Sequence, residues 1–109
     1  MFVRIYWGRI YPGSWPSIEE RYRALMEIDI PGLRARLVTR DVNDPESMFT
    51  ITIWDTVESV QAWEASEAYQ DVFLAAVRPF LVGSQSVSLS EVRVENLTEL
   101  LPVIRAATQ

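Results

Sequence analysis

The residues able to do chemistry in this chain gather in one stretch and share one character. Thr50, Thr52 and Trp54 lead into Asp55 and Glu58, and Trp63, Ser66 and Tyr69 follow at short intervals. These are indoles, a phenol, hydroxyls and carboxylates, in a chain with no cysteine and no histidine. The absences exclude disulfides, thiolate catalysis and Cys-based metal sites. They also remove the commonest general base near neutral pH and the commonest metal or haem ligand, so no metal site is expected. What remains is flat apolar surface and fixed positive charge. Trp54, Trp7 and Tyr6 offer stacking area, and a guanidinium facing the same space would stabilise an oxyanion, with Arg9, Arg34 and Arg36 as candidates. Proton transfer then falls to a tyrosine, a carboxylate or water. Glu19, Glu20 and Glu58 read as first-turn residues favoured at helix N-termini, and no pair of carboxylates is spaced for acid–base work.

Positioning these groups requires a mixed α and β framework. Phe2 to Tyr11 is rich in β-branched and aromatic types and ends at Pro12-Gly13, which predicts a first strand and a turn. Ser17 and Glu20 have capping-box spacing beside Pro16, and Ile18, Tyr22, Leu25 and Met26 recur at helical intervals until Pro31-Gly32. Leu33 to Asp41 alternates Leu33, Ala35 and Leu37 with Arg34, Arg36 and Arg40, a strand with one polar face. Ser47 to Trp54 is a third strand. Asp55 with Glu58 opens a short helix through Trp63. Ser66 caps a further helix carrying Tyr69, Val72, Phe73, Ala76, Val77 and Phe80 on one face, ended by Pro79 and Gly83. Ser84 to Glu95 is a last strand, with a bulge expected near Ser90-Glu91 where the apolar parity changes. Leu97 to Ala106 predicts a tail helix.

The order βαββαβ implies an α+β, ferredoxin-like domain whose antiparallel four-stranded sheet places the first and third strands centrally. Residues 1–95 form that domain, and residues 96–109 form a helical tail packing on it or on a partner. Both central strands are apolar on both parities: Val3, Ile5 and Trp7 against Phe2, Tyr6 and Ile10, and Phe49, Ile51 and Ile53 against Met48, Thr50, Thr52 and Trp54. Both helices cover one face. The other, expected to carry Phe2 or Val3, Tyr6 or Trp7, Met48 and Trp54, exceeds what a monomer leaves in water. A second copy of the chain is the simplest cover, with the tail folding back as the alternative. A pocket beside Trp54, Thr50 and Tyr6 is then expected at the dimer seam.

The run Phe49 to Tyr69, in which a strand ends in tryptophan and a capped helix leads to Trp63 and Ser66, resembles the antibiotic biosynthesis monooxygenase family of dimeric α/β barrels. The resemblance extends over about residues 1–95 in element order, with its specific motif in residues 49–73. It implies that Trp54 lines a substrate cavity and that Trp63 and Ser66 match a step of the haem-degrading branch. Phe73 stands where that branch carries its iron-ligating histidine, so haem degradation is not implied. Thr50 stands where polyketide-oxidising members place asparagine. Following this resemblance, Trp54, Thr50 and Arg9 are the catalytic candidates, and Tyr6, Trp7, Met48, Thr52, Trp63 and Tyr69 the substrate-binding ones. The implied activity is cofactor-independent oxidation of a hydroxylated aromatic or quinol. A non-redox isomerase or cyclase, or a non-enzymatic binder of a hydrophobic ligand, are the alternatives.

Structural readings stand beside these. A tryptophan on a two-sided strand also serves as core or interface, Trp63 as an anchor of its helix, and edge-strand arginines as solvated charges that discourage strand pairing. The formal charge of −5 has the wrong sign for a phosphate-tracking nucleic-acid binder. No segment approaches the roughly 18 apolar residues of a membrane span, and the N-terminal residues lack a signal-peptide pattern, so a cytoplasmic protein is expected. The expected partners are a second copy of the chain and a small aromatic or hydrophobic ligand.

Overall fold

A computed structural model describes residues 1–97. Strand β1 (Phe2–Ile10) is followed by helix α1 (Trp15–Leu25), strands β2 (Leu33–Arg40) and β3 (Ser47–Trp54), and helix α2 (Val57–Ala65). A π-helical segment, Ala68–Phe73, then runs into α3 (Leu74–Val77), a 3₁₀ turn (Arg78–Phe80) and strand β4 (Leu81–Glu91). The sheet order is β2-β3-β1-β4 with antiparallel neighbours throughout. The two strands that are apolar on both parities are the central ones, as their need for cover on both faces requires. Among the described residues no helix is long and apolar enough to cross a membrane.

Which face lies under the helices is the reverse of the sequence expectation. Arg4, Tyr6 and Ile10 of β1 and Met48, Thr50, Thr52 and Trp54 of β3 point into the helix layer and are buried, Trp54 and Met48 completely. The open face carries Val3, Ile5, Trp7, Phe49, Ile51 and Ile53, all partly exposed, with Leu37 beyond them on β2. A two-sided strand gives no parity signal. The choice is made by the β1-α1-β2 crossover, whose handedness dictates the side on which α1 packs. Ile18, Tyr22 and Leu25 of α1, Val60 and Trp63 of α2, and Tyr69, Phe73 and Val77 complete the core.

Several local expectations shift. Helix α1 begins at Trp15, before the Ser17–Glu20 spacing, with Pro16 in its first turn, and Met26 caps it while exposed rather than joining the buried stripe. Thr56 caps α2 by accepting from the Ser59 amide at 3.1 Å, because Asp55 is engaged with Arg34 instead. Val72 faces outward, since the π segment alters the angular step between residues. The register of β4 breaks opposite Trp7/Arg9 rather than near Ser90, and the strand ends at Glu91, leaving Val92 and Val94 outside it. The tail expected from Leu97 onward lies, beyond residue 97, outside the described residues.

One glycine is required where the α1–β2 loop meets α2. Gly32 has φ +83°, and a Cβ there would collide with Ser59 Oγ. Its carbonyl accepts from the Asp55 amide at 2.9 Å, so the loop is tied to the start of α2.

Candidate functional site

The sheet register sets Arg4, Thr52 and Arg36 in one row across β1, β3 and β2. All three project toward the helices. Thr52 is the centre of a relay: its hydroxyl accepts from Trp54 Nε1 at 2.8 Å and donates to the Arg4 carbonyl at 3.4 Å. In the next row Thr50 lies between Tyr6 and Val38, and its hydroxyl bonds the Tyr22 hydroxyl at 2.7 Å.

Helix α2 and the π segment form the roof. The Ser66 hydroxyl donates to the Trp63 carbonyl at 2.6 Å and accepts from the Tyr69 amide at 3.1 Å. It thereby ends one helix and starts the next, setting the Trp63 and Tyr69 rings edge to face at 5.4 Å. Cations bracket this pair. Arg4 lies 5.3 Å from the Tyr69 ring centre and Arg36 5.7 Å from that of Trp63, distances at which a guanidinium is held by the ring quadrupole. Arg4 also donates to the Tyr69 hydroxyl at 3.0 Å and meets Glu64 at 3.4 Å.

The charges and donors beneath this roof are incompletely matched. Among the described residues, three buried side-chain polar atoms lack a hydrogen-bond partner: Arg4 Nε, Tyr6 Oη and Arg36 Nε. Arg36 has no carboxylate within salt-bridge distance among the described residues, and Arg4 has only Glu64, whose side chain is 42% exposed. Burial lowers the Arg36 pKa, opposed by Tyr22 and reinforced by the charge of Arg4, though an arginine remains protonated through such a shift. Burial, with Tyr69 adding, pushes the Tyr6 pKa up to about 12 against the opposing charges of Arg4 and Arg78. Tyr22 is driven up as well, chiefly by burial, despite the bond from Thr50. Both phenols are therefore neutral donors at pH 7, not bases. Glu64 is the carboxylate in contact with the cluster.

The structure brings together Tyr6, Met48, Thr50, Thr52, Trp54, Trp63 and Tyr69 from the sequence candidates, between the sheet and the helices of one chain rather than on the open face. It separates the others. Trp7 and Arg9 project to the opposite face because they have the other strand parity. Trp7 Nε1 bonds Ser47 at 2.6 Å and Arg9 pairs with Asp44. Arg34 sits at the β2 irregularity, exposed and paired with Asp55 at 2.6 Å. Arg36, read alternatively as a solvated charge, is turned under the helices against Trp63. Arg4, Tyr22 and Glu64 were not singled out from the sequence. Arg4 is one of two arginines in β1, and strand parity alone separates it from Arg9.

Two hollows open beside the α1–β2 loop. Ile28, Asp29 and Ile30 line both, one of about 380 Å³ against Trp63, Ala62, Ser66 and Ala68, the other of about 230 Å³ against Leu33, Ala35 and Arg36. The first is within the usual range of small-ligand sites. Trp54, Thr50 and Tyr6 line neither, being enclosed by packing.

A ferredoxin-like α+β domain with a cationic, aromatic site between sheet and helices is thus the class of protein defined here. The antibiotic biosynthesis monooxygenase family model matches residues 1–74, and the chain belongs to that family. Solved structures agree in fold. A Bordetella bronchiseptica protein described as a candidate antibiotic biosynthesis monooxygenase superimposes with TM-score 0.75 at 14% identity, covering 85% of this chain and 97% of its own. A Nitrosomonas europaea protein of the same description gives 0.72 at 14%, covering 86% and 100%. A mutant of MhuD, with two manganese protoporphyrin IX bound per active site, gives 0.67 at 25%, covering 88% and 98%. The comparison with curated proteins yields no match.

A porphyrin does not fit the residues of this chain. Phe73 is buried, meets Tyr6 and Tyr22 edge-on at 6.2 and 5.4 Å, and stacks on Tyr69 at 5.7 Å. That space is filled by rings, and no histidine exists anywhere in the sequence to bind iron.

Proposed function

We propose that this protein is a monooxygenase that binds a small hydroxylated aromatic at Arg36 and Trp63 and oxidises it with dioxygen. The observation that carries this reading is the guanidinium of Arg36 lying on the Trp63 indole beside the two hollows. A planar ring stacks against the indole, and the guanidinium stabilises the oxyanion left when its hydroxyl loses a proton. Such an anion reduces dioxygen by one electron, and recombination at the ring carbon gives a peroxide. With anthrone, loss of water from that peroxide leaves a new carbonyl. One oxygen atom enters the product, and the other departs as water with the two methylene hydrogens. The test is oxygen uptake with anthrone in metal-free buffer without flavin. Consumption above the buffer rate, with anthraquinone formed, is the expected result; its absence overturns the reading.

A second reading, ligand binding without turnover, is favoured by the closure of Trp54, Thr50 and Tyr6, whose packing leaves no space beside them. Tryptophan quenching by anthrone without oxygen consumption would establish it.

The working unit we propose is a homodimer. The contiguous apolar residues Val3, Ile5, Trp7, Phe49, Ile51 and Ile53 on the open face support a second copy as its cover. Sedimentation at micromolar concentration tests this, and the mass of a single chain would refute it.

A further inference from the structure

The unmatched cations beneath the helices point to the kind of substrate this site takes. We infer that Arg4 and Arg36 form a carboxylate subsite, so that the ligand is a hydroxylated aromatic acid rather than a neutral phenol. This rests on the functional reading above for the ring's position, but not for its oxidation.

The charge count is the starting point. Two guanidiniums flank Thr52 in one row of the sheet, facing the same side. Arg4 is 4% exposed, and the carboxylate it meets, Glu64, stands at 3.4 Å and is itself partly in water. Arg36 has no carboxylate partner among the described residues. Two charges of one sign held in a low-dielectric layer repel, and burying them costs free energy unless anions accompany them. The unpartnered atoms have the matching chemistry. Arg4 Nε, Tyr6 Oη and Arg36 Nε are all able to donate, and the high pKa of Tyr6 keeps its proton in place. Two guanidiniums with unpartnered Nε atoms on one side of the sheet, one of them bordering a hollow, suit an anion with more than one oxygen, and guanidinium groups match a carboxylate in plane and spacing.

The surroundings set the rest of the molecule. Arg36 borders the hollow of about 230 Å³, and the indole beneath it borders the one of about 380 Å³. A carboxylate held at Arg36 therefore leaves a planar ring directed along Trp63. Segment Ile28–Ile30 lines both hollows.

The experiment compares two probes that differ by the carboxylate alone, 1-hydroxy-2-naphthoate and 1-naphthol, titrated calorimetrically into the intact protein and into R36M and R4M. The expected result is at least tenfold tighter binding of the naphthoate by the wild type. R36M should remove that preference, weakening 1-hydroxy-2-naphthoate at least fivefold more than 1-naphthol. Should R4M fail to fold, R36M alone decides, because its residue lies on an edge strand. Equal affinities for the two probes, or an unchanged preference in R36M, overturn the inference. Oxygen uptake separates it from the oxygenase reading. Tight naphthoate binding with no uptake on 1,4-dihydroxy-2-naphthoate leaves the subsite standing and removes the oxygenase. Equal uptake on 1,4-dihydroxynaphthalene and its 2-carboxylate does the reverse.

Discussion

The Tyr22–Thr50 hydrogen bond permits a sharp test of how the closed part of the site is built. The two oxygens are 2.7 Å apart, and the residues are 2% and 3% exposed, so neither hydroxyl has water as an alternative partner. Thr50→Val replaces the hydroxyl by a methyl of the same shape and leaves the Tyr22 hydroxyl buried and unpaired, at a cost of about 1–3 kcal/mol. Tyr22→Phe removes the other partner, for about 1 kcal/mol. With both removed no orphan remains. The double variant should therefore be more stable than the sum of the singles predicts, by about 1 kcal/mol. Urea denaturation followed by circular dichroism, at one protein concentration because of the proposed dimer, measures the cycle, with an unchanged slope as the check that the folded state is the same. A Thr50→Val variant within about 0.3 kcal/mol of wild type, combined with zero coupling, would show that Thr50 is not committed to Tyr22 and would reopen its role toward substrate.

Other outcomes follow from the same geometry. Tyr6 keeps its proton to about pH 12 when folded but loses it near 10 when unfolded, so its contribution is complete below pH 10. Stability should then fall between pH 10 and 12 by about 1.4 kcal/mol per unit for this residue, and a pH series of denaturation curves should show a shallower decline in Tyr6→Phe. Gly32→Ala should destabilise by about 2 kcal/mol through the positive φ. Adding Ser59→Ala should not rescue it, because the Ser59 Cβ itself lies 2.5 Å from the new methyl; thermal melts compare the three proteins. Ile51→Arg, on the open face, should convert the proposed dimer to monomer in sedimentation without unfolding the chain, and an unchanged mass would count against that face as the interface.

Much of the framework was legible from local patterns. Strand β3 runs from Ser47 to Trp54 as its β-branched and aromatic composition predicts, and Ser66 bonds the Tyr69 amide as a capping serine should. The central placement of β1 and β3, expected from the element order, agrees with their apolar residues on both parities. The site was only partly legible. Tyr6, Thr50, Thr52 and Trp54 share the covered face, whereas Arg9, a candidate by residue type, lies on the open face and Arg4 takes the covered one. Local propensity does not distinguish them, because both are arginines on one strand with apolar neighbours. The π segment was equally invisible, since its residues read as an ordinary helical stripe.

The amino-acid order alone determined the element succession, the absence of cysteine and histidine chemistry, and the pairing of flat aromatic surface with arginine, all properties of residue type and short-range spacing. Only the tertiary structure decided which face of the sheet is roofed, and therefore which arginines lose their water. Two-sided strands carry equal apolar content on both parities, so that choice belongs to the handed connection through α1. The same packing brings Arg36 onto Trp63 and Arg4 onto Tyr69, contacts between residues 27 and 65 positions apart, which no local pattern encodes.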